Sequence, residues 1–258
     1  MAATYLDKIV ARHREVAATD DRSLDDMVER ARSMPAGRNF RSALVGADLL
    51  AVISEIKRRS PSKGDLNAGL DPAAMAATYA AGGASCLSVL TDEEFFGGSI
   101  TDLQVARAAC PLPVLRKDFT VSAADVCDAR LMGADCVLLI VAALSPADVV
   151  SFHRLAVEVG LDVLVEIHDE PELDVALAAG ATLIGVNQRD LVTFQVDHAR
   201  AERMAGLMPA GVVRVAESGV RDGDDARRLH DAGYHAVLVG ETLVTASDPA
   251  AAIASLRN

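Results

Sequence analysis

Tryptophan is absent from these 258 residues, and six Phe and three Tyr make up only 3% of the chain. A core without large rings must be filled by aliphatic side chains, and the abundance of Ala, Val and Leu suits helices packed around a parallel sheet. Positive charge is also in short supply, with 25 Lys and Arg against 37 Asp and Glu and a net charge of −12. That balance argues against a nucleic-acid or membrane-surface partner. No run of 18 apolar residues occurs, and the opening MAATYLDKIVARHRE has no apolar secretion core, so the chain is expected in the cytoplasm. CxxC spacing is missing as well. Cys86, Cys110, Cys127 and Cys136 stand mostly in apolar contexts such as ASCLSVL and ADCVLLIV and read as buried free thiols. No metal-ligand pattern is visible, so no metal is expected.

What the chain does have is a regular alternation. Residues 4–16 and 23–33 carry Leu6, Ile9 and Val10, then Leu24, Met27 and Val28, at helical spacing, with Ser23 a candidate N-cap. Strands are then predicted at 51–57, 85–90, 112–117, 135–141, 161–166, 182–187, 212–216 and 235–239. Helices are predicted between and after them at 72–81, 99–109, 122–131, 146–158, 170–178, 197–207, 222–231 and 248–256. Glycines precede several strands, as in LMGADCVLLI, EVGLDVLVEI and AAGATLIGV, where they cap a helix and feed the next strand. With no linker or composition break, the pattern predicts one closed (β/α)8 barrel over residues 1–258, with residues 1–48 as an N-terminal two-helix extension. A doubly wound open sheet is the alternative, but no GxGxxG follows the first strand.

In such a barrel the chemistry lies at the C-terminal ends of the strands. The first strand leads into AVISEIKRRSPSKG, which places Glu55 and Lys57 two residues apart on one face of an otherwise apolar run, followed by Arg58, Arg59 and a Pro- and Gly-containing segment. This segment reads as a mobile, anion-facing loop. The third, fifth, sixth and seventh strands end at Lys117, Glu166, Asn187 and Glu217. Lys57, Lys117, Glu166 and Glu217 come from alternate strands, as the side chains of one barrel layer do. Structural ion pairing accounts for any one of them; four at the catalytic face favour function. Gly219 and Gly240 follow strands seven and eight, where barrels of this kind hold phosphate on backbone N–H groups. With Arg58, Arg59, Lys63, Arg116 and Arg189 around the same rim, the expected ligand is a small anion carrying phosphate and a second acidic group. His168 follows Glu166 but, as a lone histidine, reads as structural or solvated.

Taken in order, SEIKRRSPSKG, SVLTDEEFFGGS, LRKDF, VLLIVAALS, VLVEIHDE, IGVNQRDL, VAESGV and VLVGETLV resemble the indole-3-glycerol phosphate synthase family over nearly the whole chain. The resemblance implies closure of an indole ring on 1-(2-carboxyphenylamino)-1-deoxyribulose 5-phosphate with loss of CO2 and water, and no cofactor. It matches Lys117 to the family's acid, Glu166 to its base, Lys57 to the residue that binds the substrate carboxylate, and Glu55 to the group that orients the lysines. Asn187, Glu217 and Ser218 match substrate-positioning residues, Phe96 a wall against the anthranilate ring, and Ser60 a loop contact. Arg189, Gly219, Gly240 and Glu241 match the phosphate site. Two positions depart from the pattern: Glu241 stands where many members carry Ser, and Gly97 where some carry Asn. The rival readings are a Schiff-base aldolase with Lys117 as nucleophile and a non-catalytic barrel. The chain is expected to be a monomer.

Overall fold

Three apolar runs, Ala51–Ile56, Cys86–Leu90 and Cys136–Ile140, are buried at every residue. A strand with no exposed alternate position fits only a sheet covered on both faces. The computed structural model, which describes residues 4–46, 49–61, 63–190 and 192–257, closes such strands into a barrel. The barrel strands are the first (Ala51–Ile56), second (Cys86–Leu90), third (Val114–Lys117), fourth (Cys136–Ile140), fifth (Asp162–Ile167), sixth (Leu183–Asn187), seventh (Val213–Glu217) and eighth (Ala236–Val239). Each pairs in parallel with its neighbours, and the first closes the ring by pairing Ser54 with Val239 of the eighth and Ile53 with Cys86 of the second. The expected (β/α)8 architecture is therefore present, with helices between successive strands and two more before the first.

Alternation along each strand divides the core in two. Ile53, Leu115, Leu164 and Val215 belong to a cluster inside the barrel, whereas Val52, Val114, Val165 and Ala216 pack between strands and helices. Lys117, Glu166 and Glu217 follow Leu115, Leu164 and Val215 by two residues, so they continue the inward row to the mouth. The N-terminal segment wraps both ends. Helix Tyr5–Ala18 crosses the mouth, and helix Leu24–Arg32 packs on helix Ala123–Leu131. Buried Phe40 and Leu44 join the inner cluster, with Arg38 N–H donating to Asp135 Oδ1 at 2.7 Å and Arg41 N–H to Asp162 Oδ2 at 2.8 Å.

The differences from the sequence reading are local. Lys57 lies one residue beyond the first strand, and the seventh strand runs on to Glu217. Arg59–Ser60 and Gly64–Asp65 pair as a small antiparallel hairpin where a loop was expected. The helix expected at 197–207 is only Arg200–Ala205, because the preceding backbone is taken up by a bridge between Arg189 and Val196. Glu93–Phe96 and Glu241–Val244 are one-turn helices, too short to leave a periodic signal.

Candidate active site

At the C-terminal end of the barrel the inward row turns from apolar to charged. Lys117 Nζ lies 2.9 Å from Glu166 Oε2 and 3.4 Å from Glu217 Oε2. Asn187 Nδ2 donates to Glu166 Oε1 at 3.0 Å, while Arg189 N–H donates to Asn187 Oδ1 at 3.0 Å and so turns the amide toward the carboxylate. Lys57 Nζ donates to Glu55 Oε1, and both border a cleft of about 410 Å³. Every residue assigned by the resemblance lines that cleft: Glu55, Lys57, Ser60, Phe96, Lys117, Glu166, Asn187, Arg189, Glu217, Ser218, Gly219, Gly240 and Glu241.

Burial opposes charge on all three central groups, and the neighbours decide the outcome. Desolvation pushes the Lys117 ammonium down, but Glu166, Glu217 and Glu55 more than offset it and hold the lysine protonated, with its pKa raised. The glutamates therefore win over any lowering by the second lysine. Burial also pushes Glu166 up, yet Lys117, His168 and the Asn187 amide together bring it down to about 2. Among the described residues Glu217 has no such second donor, and its Oε1 is buried without a hydrogen-bond partner. Burial and the adjacent Glu166 raise it to about 8 against the pull of Lys117. The environment thus sets the three groups apart, favouring the charged forms of Lys117 and Glu166 and pushing Glu217 toward its neutral form.

Glycine is required where these groups crowd the backbone. A Cβ on Gly185 would overlap Glu217 Oε1 and lie 3.3 Å from Leu164 Cδ1. Gly185→Ala is accordingly expected to displace the Glu217 carboxyl and lower kcat/KM by about 10²-fold. Steady-state kinetics beside a thermal melt would check this, and wild-type kcat/KM in a folded variant would contradict it. Gly240 leaves room for Glu55 and Lys57, a Cβ there standing 3.1 Å from Lys57 Nζ. Ser218 and Gly219 both have positive φ, 67° and 77°. A serine held in the left-handed region is a strained backbone position, and such positions concentrate at functional turns.

The basic rim read from the sequence needs correction. Arg58 pairs with Asp102 and donates to the carbonyls of Gly97 and Leu70, and Arg59 donates to the carbonyls of Glu93 and Glu94. Arg116 is buried outside the barrel interior, 3.1 Å from Asp118 Oδ2. These arginines tie loops together and do not face an incoming anion, because each finds carboxylates or carbonyls closer at hand. Lys63 Nζ stands at the rim 3.6 Å from Glu241 Oε1, and Arg189 lines the cleft. The four cysteines are buried and free, as expected.

Other residues at the mouth were not foreseen. Tyr5, Leu6 and Ile9 reach the cleft from the N-terminal helix, and Phe119 and Phe194 line it as well. Tyr5 meets Phe95 and Phe194 edge-on, with centroids 5.9 and 5.7 Å apart. In so aromatic-poor a chain, the position of Phe119 two residues after Lys117 was an available signal. His168 Nε2 lies 3.8 Å from Glu166 Oε1, closer to the chemistry than a solvated rim residue would be.

A family model for Indole-3-glycerol phosphate synthase matches residues 6–256. The Indole-3-glycerol phosphate synthase of Streptomyces griseus is 51% identical over 234 residues, 91% of this chain and 87% of that one. That of Chlorobium luteolum is 47% identical over 248 residues, 95% of each. Among solved structures, thiamine phosphate pyrophosphorylase from Pyrococcus furiosus aligns with TM-score 0.61 at 16% identity, covering 84% of this chain and 96% of that one. N-acetylmannosamine-6-phosphate 2-epimerase from Clostridium perfringens also gives 0.61, at 12% identity over 81% and 93% of the two chains. At such identities these two speak for the barrel fold alone. The family match across almost the whole length, with the extensive identity to its curated relatives, shows that the chain belongs to the indole-3-glycerol phosphate synthase family, carbon-carbon lyases of tryptophan biosynthesis.

Proposed function

We propose that this chain closes the indole ring of 1-(2-carboxyphenylamino)-1-deoxyribulose 5-phosphate with Lys117 as proton donor and Glu166 as base. The observation that carries the reading is the Lys117 ammonium held between Glu166 and Glu217 at the floor of the cleft. The ring carbon bearing the carboxylate attacks the ketose carbonyl, whose oxygen takes a proton from Lys117. Loss of CO2 returns its bonding electrons to the ring. In the dehydration Glu166 removes the proton from the carbon next to nitrogen as the new hydroxyl, protonated from solvent, leaves as water. Glu166 Oε2 is 2.9 Å from Lys117 Nζ, so the proton taken by the base has a direct path back to the acid.

The substrate must be held folded for its ends to react, which is a positioning task. The turns at Gly219 and Gly240, with Arg189, form the phosphate end; Lys57, steered by Glu55, meets the carboxylate; Asn187 and Ser218 position the sugar, and Phe96 faces the anthranilate ring. Ser60 Oγ, buried and without a hydrogen-bond partner among the described residues, supports its role as a loop contact. Glu241 turns its carboxylate to Lys63, leaving its backbone N–H as the group for phosphate. The whole chain acts as one domain, residues 1–48 being the helical extension, and as a monomer. Four reduced, buried thiols suit the cytoplasm. The aldolase alternative needs a neutral lysine, and the carboxylates around Lys117 oppose that.

The test is to add the carboxyphenylamino-deoxyribulose phosphate and follow indole fluorescence. A steady rise is expected; none, with a lysine adduct trapped by borohydride instead, would favour the aldolase.

A further inference from the structure

Behind the aromatic wall of the cleft, helix Tyr5–Ala18 places one imidazole between two buried carboxylates. His13 Nε2 lies 2.9 Å from Asp92 Oδ2 and 3.7 Å from Asp118 Oδ1, and the side chains of both aspartates are only 4% exposed. The same carboxylates also hold backbone. Asp92 Oδ1 accepts from Phe95 N–H at 2.6 Å and Phe96 N–H at 3.1 Å, and Asp118 Oδ1 accepts from Phe119 N–H at 2.8 Å. The imidazole also packs on the Phe119 ring, centroids 5.5 Å apart, and Phe119 packs on Phe96 at 6.2 Å. Phe96 and Phe119 both line the cleft. Three such ligand atoms could in principle hold a cation. Here the carboxylate oxygens are already engaged, and Arg116 adds positive charge 3.1 Å from Asp118, so the histidine itself is the fitting counterion.

We propose that His13 is a positioning residue for substrate binding: as an imidazolium it bridges the loops after the second and third strands and thereby holds Phe96 and Phe119 against the substrate's aromatic ring. The inference rests on the reading of the cleft given above. The physical reason is electrostatic. Two carboxylates this close and this buried repel each other unless a cation lies between them. Arg116 neutralises Asp118 from one side, but among the described residues no cation other than His13 pairs with Asp92: Arg12 turns to Glu94 and Glu15, and Arg14 to the carbonyl of Ala143. Asp125, the remaining carboxylate acting on the imidazole, adds negative charge from helix Ala123–Leu131. Burial alone would push the imidazole down, but Asp92, Asp118 and Asp125 outweigh it and raise its pKa, which favours the charged bridge. A raised histidine loses its contribution as pH climbs through the folded value, so the wall loosens on the alkaline side.

The test uses the full chain, His13→Asn and His13→Lys, and the substrate analogue whose ketone is reduced to an alcohol, which binds and does not react. His13→Asn should raise KM and the analogue's Kd about tenfold with kcat within about twofold, whereas His13→Lys, which keeps the cation, should stay near wild type. Wild-type KM should rise toward alkaline pH more steeply than that of His13→Lys; Glu217 titrates in both and cancels. Amide exchange at Phe95, Phe96 and Phe119 should speed about tenfold in His13→Asn alone, a readout that needs no turnover. Unchanged Kd and exchange in His13→Asn, or equal impairment in both variants, overturns the proposal. Should His13→Asn fail to fold, the wild-type and His13→Lys pH profiles decide it. A wild type that turns over no substrate sinks the proposed reaction, while the exchange arm still judges His13.

Discussion

Lys117→Ala is expected to lose about 10³-fold in kcat, in the middle of the range for a positioned general acid, while KM changes by less than about tenfold. The ammonium acts mainly where charge develops on the ketose oxygen, so its loss is felt in the transition state more than in binding. It is also the one cation within reach of both Glu166 and Glu217 among the described residues, so the variant leaves two buried carboxyl groups sharing no counterion. Glu166 would then rise from its depressed pKa and weaken as a carboxylate base. Lys57→Met should behave differently, raising KM as well as lowering kcat, because in the proposed reaction Lys57 binds the substrate carboxylate. Steady-state kinetics on the two variants, with KM close to Kd, would check the division. More than a tenth of wild-type kcat in Lys117→Ala would remove it as the acid, and a reversed KM pattern would exchange the two lysines.

Glu166→Gln should block the dehydration. The amide keeps the shape and the contact to Asn187, but it cannot take a proton, and a fall of about 10²–10⁴-fold in kcat is the expected loss. Ring closure and CO2 loss precede that step. A single-turnover experiment should therefore release CO2 without the matching indole fluorescence. Parallel appearance of both at the wild-type rate would mean that another group takes the proton. The substitution also removes one of the negative charges that raise Glu217, so Glu217 should titrate lower than in the wild type, and the alkaline limb of any residual activity should move to lower pH.

The sequence by itself determined the parts that local patterning encodes. Apolar runs of five or six residues ending in Lys117, Glu166, Asn187 and Glu217, the last three fed by a glycine turn, specify strands, and alternation puts those ends on one face of a closed sheet. Period and turn chemistry are properties of neighbouring residues, so they can be read without the fold. The arginines could not be read this way. Arg58, Arg59 and Arg116 carry the same charge in any conformation, and only packing decided that Asp102, Asp118 and loop carbonyls would take them away from the mouth. The opposite pKa shifts of Glu166 and Glu217 likewise required distances: both are buried strand-end carboxyls, but Lys117, His168 and the Asn187 amide draw Glu166 down while burial and Glu166 push Glu217 up. Finally, Tyr5 and His13 lie far along the chain from Phe95 and Asp118, and they meet them only because the N-terminal helix folds back over the barrel mouth. Such contacts depend on how the finished barrel presents its end, which no local spacing records.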